Sequence, residues 1–419
     1  MSNNCRLCKS NEFVELIYDF GHIPSANDYW DGNGVPERGS LAVHYCNACK
    51  YLFAVGSIPH RSLFSSSYPY LSSVSSYWAG HAEKLALEIQ GMRLGKQQPK
   101  LLEIASNDGY LLKHFDADSF LAVGIDPASD ACAIASNFCG NIVNDVFERS
   151  SAERLIERFG TFDVVVGLNV LAHVPDPVEL VEAVGTVLNE RGLFIIEAHD
   201  VANILFSRQW DSIYHEHFSY FSFHSLEVLL SKCGFKVLGI SRVDTHGGSL
   251  RVYATKNIES VRSLDREVSE TLMPPESLRR HEQKLNMHKS APYSVLASII
   301  ADDINELRTF IAASMSAGKV IAGYGAAAKA STIISVLNLK SNELSFIFDR
   351  APSKVGKFMP GSDIPIIQPS SASVADSTYD ILIIFVWNLV DEVLSDLKSM
   401  RMPGHVKVYS LRPKLRLVD

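Results

Sequence analysis

The sequence predicts an α/β protein in three parts: an N-terminal zinc-binding module, a central Rossmann-like domain and a C-terminal Rossmann-like domain. Three observations carry this expectation. Two Cys-x-x-C pairs, Cys5/Cys8 and Cys46/Cys49, stand near the amino terminus. Twice further on, an apolar run passes through a turn of small residues into a helical pattern, the βα unit of a parallel sheet. Between these units lies a long charged stretch, Ile258 to Ala317, broken by prolines. The expected limits are 1–66, 67–290 and 291–419.

At 419 residues the chain is too long for one ordinary core. It is 47% hydrophobic and 21% charged, within the range of soluble globular proteins. No run approaches 18 apolar residues, and the start, "MSNNCRLCKS", is polar, so neither a membrane span nor a signal peptide is expected. The expected location is cytoplasmic. A net charge of −8 argues against nucleic acid or an anionic membrane as partner, though not against one phosphorylated small molecule. No obligate protein partner is evident.

The four cysteines of the two pairs can aim four thiolates at one tetrahedral ion, which leaves no open position for a substrate and so reads as structural zinc. "GHIPSANDYWDGNG" is the loop of the insertion between them. Cys132, Cys139 and Cys233 stand in apolar context and read as buried bystanders.

After the helical "SYWAGHAEKLALEIQGM", "LLEIA" reads as a buried strand, "SNDG" as a turn and "YLLKHF" as a helix. "FLAVGIDP" is a second strand ending in Asp126, and "FDVVVGL" and "GLFIIEAHD" are later ones. A dinucleotide fold wants Gly-x-Gly-x-x-Gly in the first turn. Here Ala105 and Asn107 stand with Gly109 instead, after a strand-borne Glu103. That arrangement suits S-adenosylmethionine. Glu103 and the loop backbone would face its amino-acid end, Asp126 its ribose hydroxyls, and Asp145 its adenine amino group.

The second unit, "KVIAGYGAAAKASTII", has a Gly-x-Gly-x-x-Ala turn (Gly323, Gly325, Ala328), with Asp349 ending the next strand. On motif alone this is a dinucleotide site, and an NAD(P)-dependent oxidoreductase is one reading. Lys329, in the first turn of the helix, adds a cation beside amides suited to a diphosphate, which also fits a nucleotide sugar.

"SIYHEHFSYFS" crowds His215, Glu216 and His217 between Tyr214 and Tyr220. Three readings compete: a catalytic acid–base cluster, a metal site completed by His199 or His173, and a hydrogen-bonded structural knot. In a strand, His215 and His217 would share a face.

The zinc knuckle, "LLEIASNDGYLL", "LNVLAHV", "IYHEHFSYFS", "HGGSLR" and "GYGAAAKAST" occur in an order that resembles the sugar C-methyltransferases. Those are S-adenosyl-L-methionine enzymes acting on nucleotide-linked 4-keto-6-deoxyhexoses in unusual-sugar biosynthesis. The resemblance covers almost the whole chain. It implies a central methyltransferase domain and a C-terminal domain that holds the nucleotide sugar, dTDP- or GDP-linked, through Gly325, Lys329 and Asp349. It places Asn169 and His173 beside methyl donor and sugar, and Tyr68 or Tyr70 against the substrate. It also carries the family's proposed base onto His217.

Methylation at carbon 3 needs a carbanion equivalent, and the ketone at carbon 4 acidifies the neighbouring hydrogen. A base must then be placed within reach, with donors for the enolate oxygen. His217 is the expected base, Glu216 a second base or an orienter, and Tyr214 a donor to the oxygen. Two readings stand for "HGGSLR": its glycines permit close backbone approach with Arg251 available to an anion, or it is a glycine turn before the strand "LRVYAT". A rival outside enzymology is a zinc-stabilised binding protein that has lost activity.

Overall fold

The computed structural model describes residues 3–33, 36–63, 71–74, 76–92, 94, 96–257, 272–375 and 378–418. Strands β1 (Val14–Pro24), β2 (Arg38–Cys46) and β3 (Tyr51–Gly56) form an antiparallel meander. One Cys-x-x-Cys knuckle precedes β1, and the other forms the turn between β2 and β3. The lysine after each knuckle, Lys9 (φ 63°) and Lys50 (φ 52°), is left-handed, a conformation that costs a non-glycine residue about 1 kcal/mol.

The central sheet begins with five strands: β4 (Lys100–Ile104), β5 (Leu121–Asp126), β6 (Ile142–Asn144), β7 (Phe162–Leu168) and β8 (Leu188–His199). All five are parallel. Every residue of β7 is buried, as expected of a strand covered on both faces. The next strand, β9 (Ser219–Tyr220), leaves this sheet and pairs with β3 of the N-terminal meander. β10 (Lys236–Val243) and β11 (Ser249–Thr255) return, β11 lying antiparallel against β8. The final order is β10-β11-β8-β7-β4-β5-β6. The order in which strands are added reverses between β4 and β7, which opens a crevice at their carboxyl ends.

The helix Pro177–Val187 starts where Asp176 accepts the Val178 and Glu179 N–H groups, with proline at its first position. Of the charged stretch Ile258 to Ala317, which reads as an exposed linker or a surface helix pair in its first part, residues 258–271 lie outside the described residues, and the chain from Met273 onward packs against the body of the protein. Met273 bridges to Ile240 on β10, and Glu282 of the helix Pro275–Lys284 is buried. Its carboxylate accepts the Phe223 and His224 N–H groups at the start of the helix Phe223–Lys232. A remote carboxylate thus caps that helix, and burial pushes it up to about 7.

The third sheet runs β14 (Ile366–Ile367), β13 (Ile347–Phe348), β12 (Ile321–Tyr324), β15 (Ile381–Ile384), β16 (Lys407–Ser410) and β17 (Arg416–Leu417), with only β17 antiparallel. The parts do not keep separate cores. Tyr51 and Phe53 of β3 face one core with the helices of the central domain, while Leu52 and Ala54 face another with the C-terminal domain. Alternation along one strand therefore buries the N-terminal sheet on both sides. Tyr45 stacks on Tyr293 at 4.0 Å across the second junction, a contact of about 1 kcal/mol beyond burial. No helix among the described residues is long and apolar enough to cross a membrane.

Candidate active site

At the carboxyl end of β4 the turn holds Ala105 (φ 55°), Asn107 (φ 48°) and Gly109 (φ 77°), all left-handed. Gly109 is required, because a Cβ there would lie 3.1 Å from Ala135. Asp126 locks the turn to the next strand by accepting the N–H groups of Asn107 (2.9 Å) and Ala128 (2.8 Å). From above, Ser72 and Ser73 donate their N–H groups to the side chains of Asn107 and Asp108.

Glu103 is fully buried, and burial pushes its carboxyl well above the usual value, the Tyr110 hydroxyl pulling it partly back. Asp145 follows β6 and its N–H donates to the Asp126 carbonyl, so the two acids are neighbours. Its own carboxylate is paired with Arg154. Asn169, left-handed at φ 56°, ends β7, and its N–H donates to the Glu197 carbonyl. Among the described residues its buried Nδ2 has no partner.

The stretch around His215 and His217, between a short 3-10 helix (Trp210–Ser212) and β9, folds as a turn, not as the strand in which both imidazoles would share a face. His215 packs into the N-terminal sheet where Gly56 leaves room, since a Cβ at Gly56 would sit 3.0 Å from its ring. His217 faces the other way. Its Nδ1–H donates to the Ser212 carbonyl at 2.8 Å, which leaves Nε2 as the acceptor, 2.9 Å from the Tyr214 hydroxyl. Among the described residues, only the cysteines form a cluster suited to a metal, so the reading of the two histidines as ligands is not supported.

His173 meets His217 edge to face at 4.8 Å. Burial pulls its pKa down to about 4, so the ring is neutral near pH 7, and its Nδ1–H donates to the Glu216 carbonyl at 2.9 Å. The Glu216 side chain points away from Tyr214 and His217 and accepts hydrogen bonds from Ser25, Ala26 and Asn27. Tyr68 and Tyr70 lie outside the described residues.

Arg251 corrects an expectation. It is buried and donates to Glu197 at 2.6 Å and Glu88 at 3.2 Å, while His81 turns its own Nε2–H to Glu197, so among the described residues two carboxylates already meet its charge. Burial alone would raise Glu197, but the hydrogen bond from His81 and the charge of Arg251 outweigh it and hold the carboxyl below its usual value. Arg251→Ala is expected to cost about 3–5 kcal/mol of stability, the scale for stranding a buried charge. Urea unfolding measures this, and an unchanged midpoint would contradict it. The glycines of this motif serve packing: a Cβ on Gly247 would lie 2.4 Å from Trp387. Nothing in the local sequence marked these partners: Glu197 meets Arg251 through the sheet register, and His81 comes from the helix Ser76–Gly91.

In the C-terminal turn, a Cβ on Gly325 (φ 92°) would strike Val386 at 2.6 Å. The mouth of the turn is taken by protein: Tyr29 and Lys354 both donate to the Ala326 carbonyl. Asp349 is 3.6 Å from Lys354 and accepts the Ala351 N–H. Lys329 places its ammonium 3.9 Å over the Trp387 ring, and Trp387 donates to Asp211 at 2.7 Å.

The four thiol sulfurs of Cys5, Cys8, Cys46 and Cys49 lie within 4.8 Å of one another, and the Cys8–Cys46 separation is 3.8 Å. A tetrahedral Zn–S₄ site with bonds of about 2.3 Å has edges of about 3.8 Å. The donor set is compatible with zinc.

Two family profiles match in succession: a methyltransferase domain over residues 77–239 and a C-methyltransferase C-terminal domain over residues 244–411. C-methyltransferase NovU of Streptomyces niveus is 28% identical over 406 residues, covering 96% of this chain and 94% of that protein. The chain belongs to the S-adenosylmethionine-dependent C-methyltransferases.

Other similarities of this methyltransferase are partial. A ubiquinone biosynthesis O-methyltransferase of Colwellia psychrerythraea is 26% identical over 118 residues, 27% of this chain and 47% of that protein. The solved magnesium protoporphyrin IX methyltransferase of Synechocystis, with bound S-adenosylmethionine, is 14% identical, with a TM-score of 0.32, over 43% of this chain and 82% of that one. The matched C-methyltransferase profile spans the Gly-x-Gly-x-x-Ala turn. The methyltransferase assignment therefore replaces both the oxidoreductase and the non-catalytic readings.

Proposed function

We propose that the enzyme methylates carbon 3 of a nucleotide-linked 4-keto-6-deoxy sugar, dTDP- or GDP-linked, through an enolate, as a cytoplasmic step in deoxysugar biosynthesis. The observation that carries this reading is the Tyr214–His217 pair. Two groups 2.9 Å apart, one a fixed-tautomer base and one a hydroxyl donor, match the adjacent C–H and C=O oxygen of an enolisable ketone.

His217 Nε2 takes the carbon 3 proton as the Tyr214 hydroxyl turns its donation to the oxygen on carbon 4. His173, neutral and edge-on to His217, keeps a second positive charge away from the imidazolium as it forms. Glu216 is the orienter, because its carboxylate is already taken by donors of the N-terminal loop.

S-adenosylmethionine supplies the electrophilic methyl carbon. The residues that would hold it are Glu103, the left-handed turn Ala105–Gly109, Asp126, Asp145 and Asn169. The unpartnered Nδ2 of Asn169 is the sign that a ligand group belongs there. Zinc at the four cysteines is structural and takes no part in the chemistry.

Assay of a panel of nucleotide 4-keto sugars for methyl transfer tests the substrate class. Hydrogen–deuterium exchange at carbon 3 tests the enolate. Failure of every 4-keto sugar would remove the proposal.

Lys329 is the residue proposed to meet the diphosphate. Burial pulls it down to about 8, against the pull of Asp211. The cation is therefore present below that pH and lost above it. The Michaelis constant for the nucleotide sugar is expected to climb as pH passes 8, and Lys329→Ala to cost about 1.5–3 kcal/mol of sugar affinity with S-adenosylmethionine nearly unaffected. Equal losses for both substrates would place the lysine elsewhere.

A further inference from the structure

We infer that the loop Ser25–Asn27 of the N-terminal module is a positioning element for proton transfer, acting on His217 and His173 through Glu216. The inference rests on the reading of His217 as the base.

Glu216 is fully buried, and a carboxylate in that position demands compensation. Among the described residues its side-chain partners are donors from three consecutive residues, and no cation is among them. Oε1 accepts from Ser25 Oγ at 3.0 Å, Asn27 N at 3.1 Å and Asn27 Nδ2 at 3.1 Å, while Oε2 accepts from Ala26 N at 3.4 Å. Convergent backbone and side-chain donors of this kind hold an anion in one place and one orientation.

What they hold is the middle of the catalytic turn. The Glu216 carbonyl accepts the His173 Nδ1–H, and the next residue is His217, whose N–H closes the turn on the Tyr214 carbonyl at 3.0 Å. One pinned residue therefore sets two imidazoles and the tyrosine.

The loop is itself fixed from the far side. Ser331 donates to the Ala26 carbonyl at 2.7 Å, and Tyr29 to the Ala326 carbonyl at 2.6 Å. Ser331 lies on the helix Ala328–Leu337, as does Thr332, which donates to the Ile213 carbonyl at 3.3 Å. One helix of the C-terminal domain thus grips both the loop and the start of the catalytic segment.

A loop that only added stability would change the melting temperature and leave the chemistry alone. A positioning loop changes turnover more than binding, because misplacing a base by a fraction of an ångström acts on the transition state.

The test uses the full-length zinc enzyme. Asn27→Ala is expected to lower kcat about tenfold, the lower end for losing a hydrogen bond to a charged group, with both Michaelis constants within about twofold. Ser25→Ala should act in the same direction, and Ser25→Thr, which keeps the hydroxyl, should restore turnover. Because Asn27 acts through Glu216, the double variant Asn27→Ala/Glu216→Gln should be no slower than Glu216→Gln alone, within about the twofold scatter of additive sites. Multiplying losses in that cycle, or a lowered melting temperature with unchanged kcat in both Asn27→Ala and Ser25→Ala, would overturn the inference. Full activity of His217→Asn would instead remove the base assignment, and non-additivity between Asn27 and Glu216 would still be read in methyl transfer.

Discussion

His217→Asn is expected to lower kcat by roughly 10²–10⁴-fold, the scale of a positioned acid–base group, while both Michaelis constants change little. Asparagine can keep the hydrogen bond to the Ser212 carbonyl but has no basicity at neutral pH. The loss should therefore fall on the step in which the carbon–hydrogen bond breaks, not on binding. Exchange of the carbon 3 hydrogen with solvent should slow in parallel. Tyr214→Phe removes the donor proposed for the enolate oxygen and is expected to cost about 10²–10³-fold in kcat. Steady-state kinetics with both variants, set beside the exchange rate, checks the pair as a unit. Near-normal turnover in His217→Asn would show that another group takes the proton.

The second large effect is expected at the four cysteines. Metal analysis should find one zinc per chain, and Cys46→Ser should destroy folding instead of slowing turnover selectively. Structural zinc contributes on the order of 10 kcal/mol in small zinc-dependent folds, comparable with the whole stability of a domain. Cys46 also ends β2, in register with Val14 on one side and Tyr51 on the other, so the strands around it lose their anchor with the ion. Circular dichroism and thermal unfolding of Cys46→Ser, and of the wild type after chelation, measure this. A folded, fully active preparation without zinc would reject it.

What could be read from the sequence was what local pattern encodes. The apolar run at Phe162–Leu168, the small-residue turns after β4 and β12, and the acids ending β5 and β13 all lie where periodicity and turn chemistry put them. Ala105 and Asn107 looked like departures from a glycine-rich turn, yet both adopt the left-handed backbone, which asparagine tolerates and alanine accepts at modest cost.

Long-range partners were not legible. Arg251 beside two glycines looked free for an anion, and only the pairing of β11 with β8 brings Glu197 against it. His215 and His217 could be set on one face only by assuming a strand, and a turn sends them to opposite environments. The loop containing Ser25 and Asn27 carried no motif at all. Its part in the site comes from a contact with a carboxylate that lies 191 residues away from Ser25 in the chain.

The interleaved cores have a consequence for synthesis. The ribosome delivers β1, β2 and β3 first, but β9, which completes their sheet, emerges only with Ser219 and Tyr220. The apolar cover over one face waits longer, for residues as late as Leu411. During translation the nascent amino terminus therefore presents an unpaired strand edge and apolar surface, the features that invite association with neighbouring chains. If zinc is held as proposed, its early capture by Cys5, Cys8, Cys46 and Cys49 would need nothing downstream of Cys49. It can draw the first strands into register while the rest of the polypeptide is still being made.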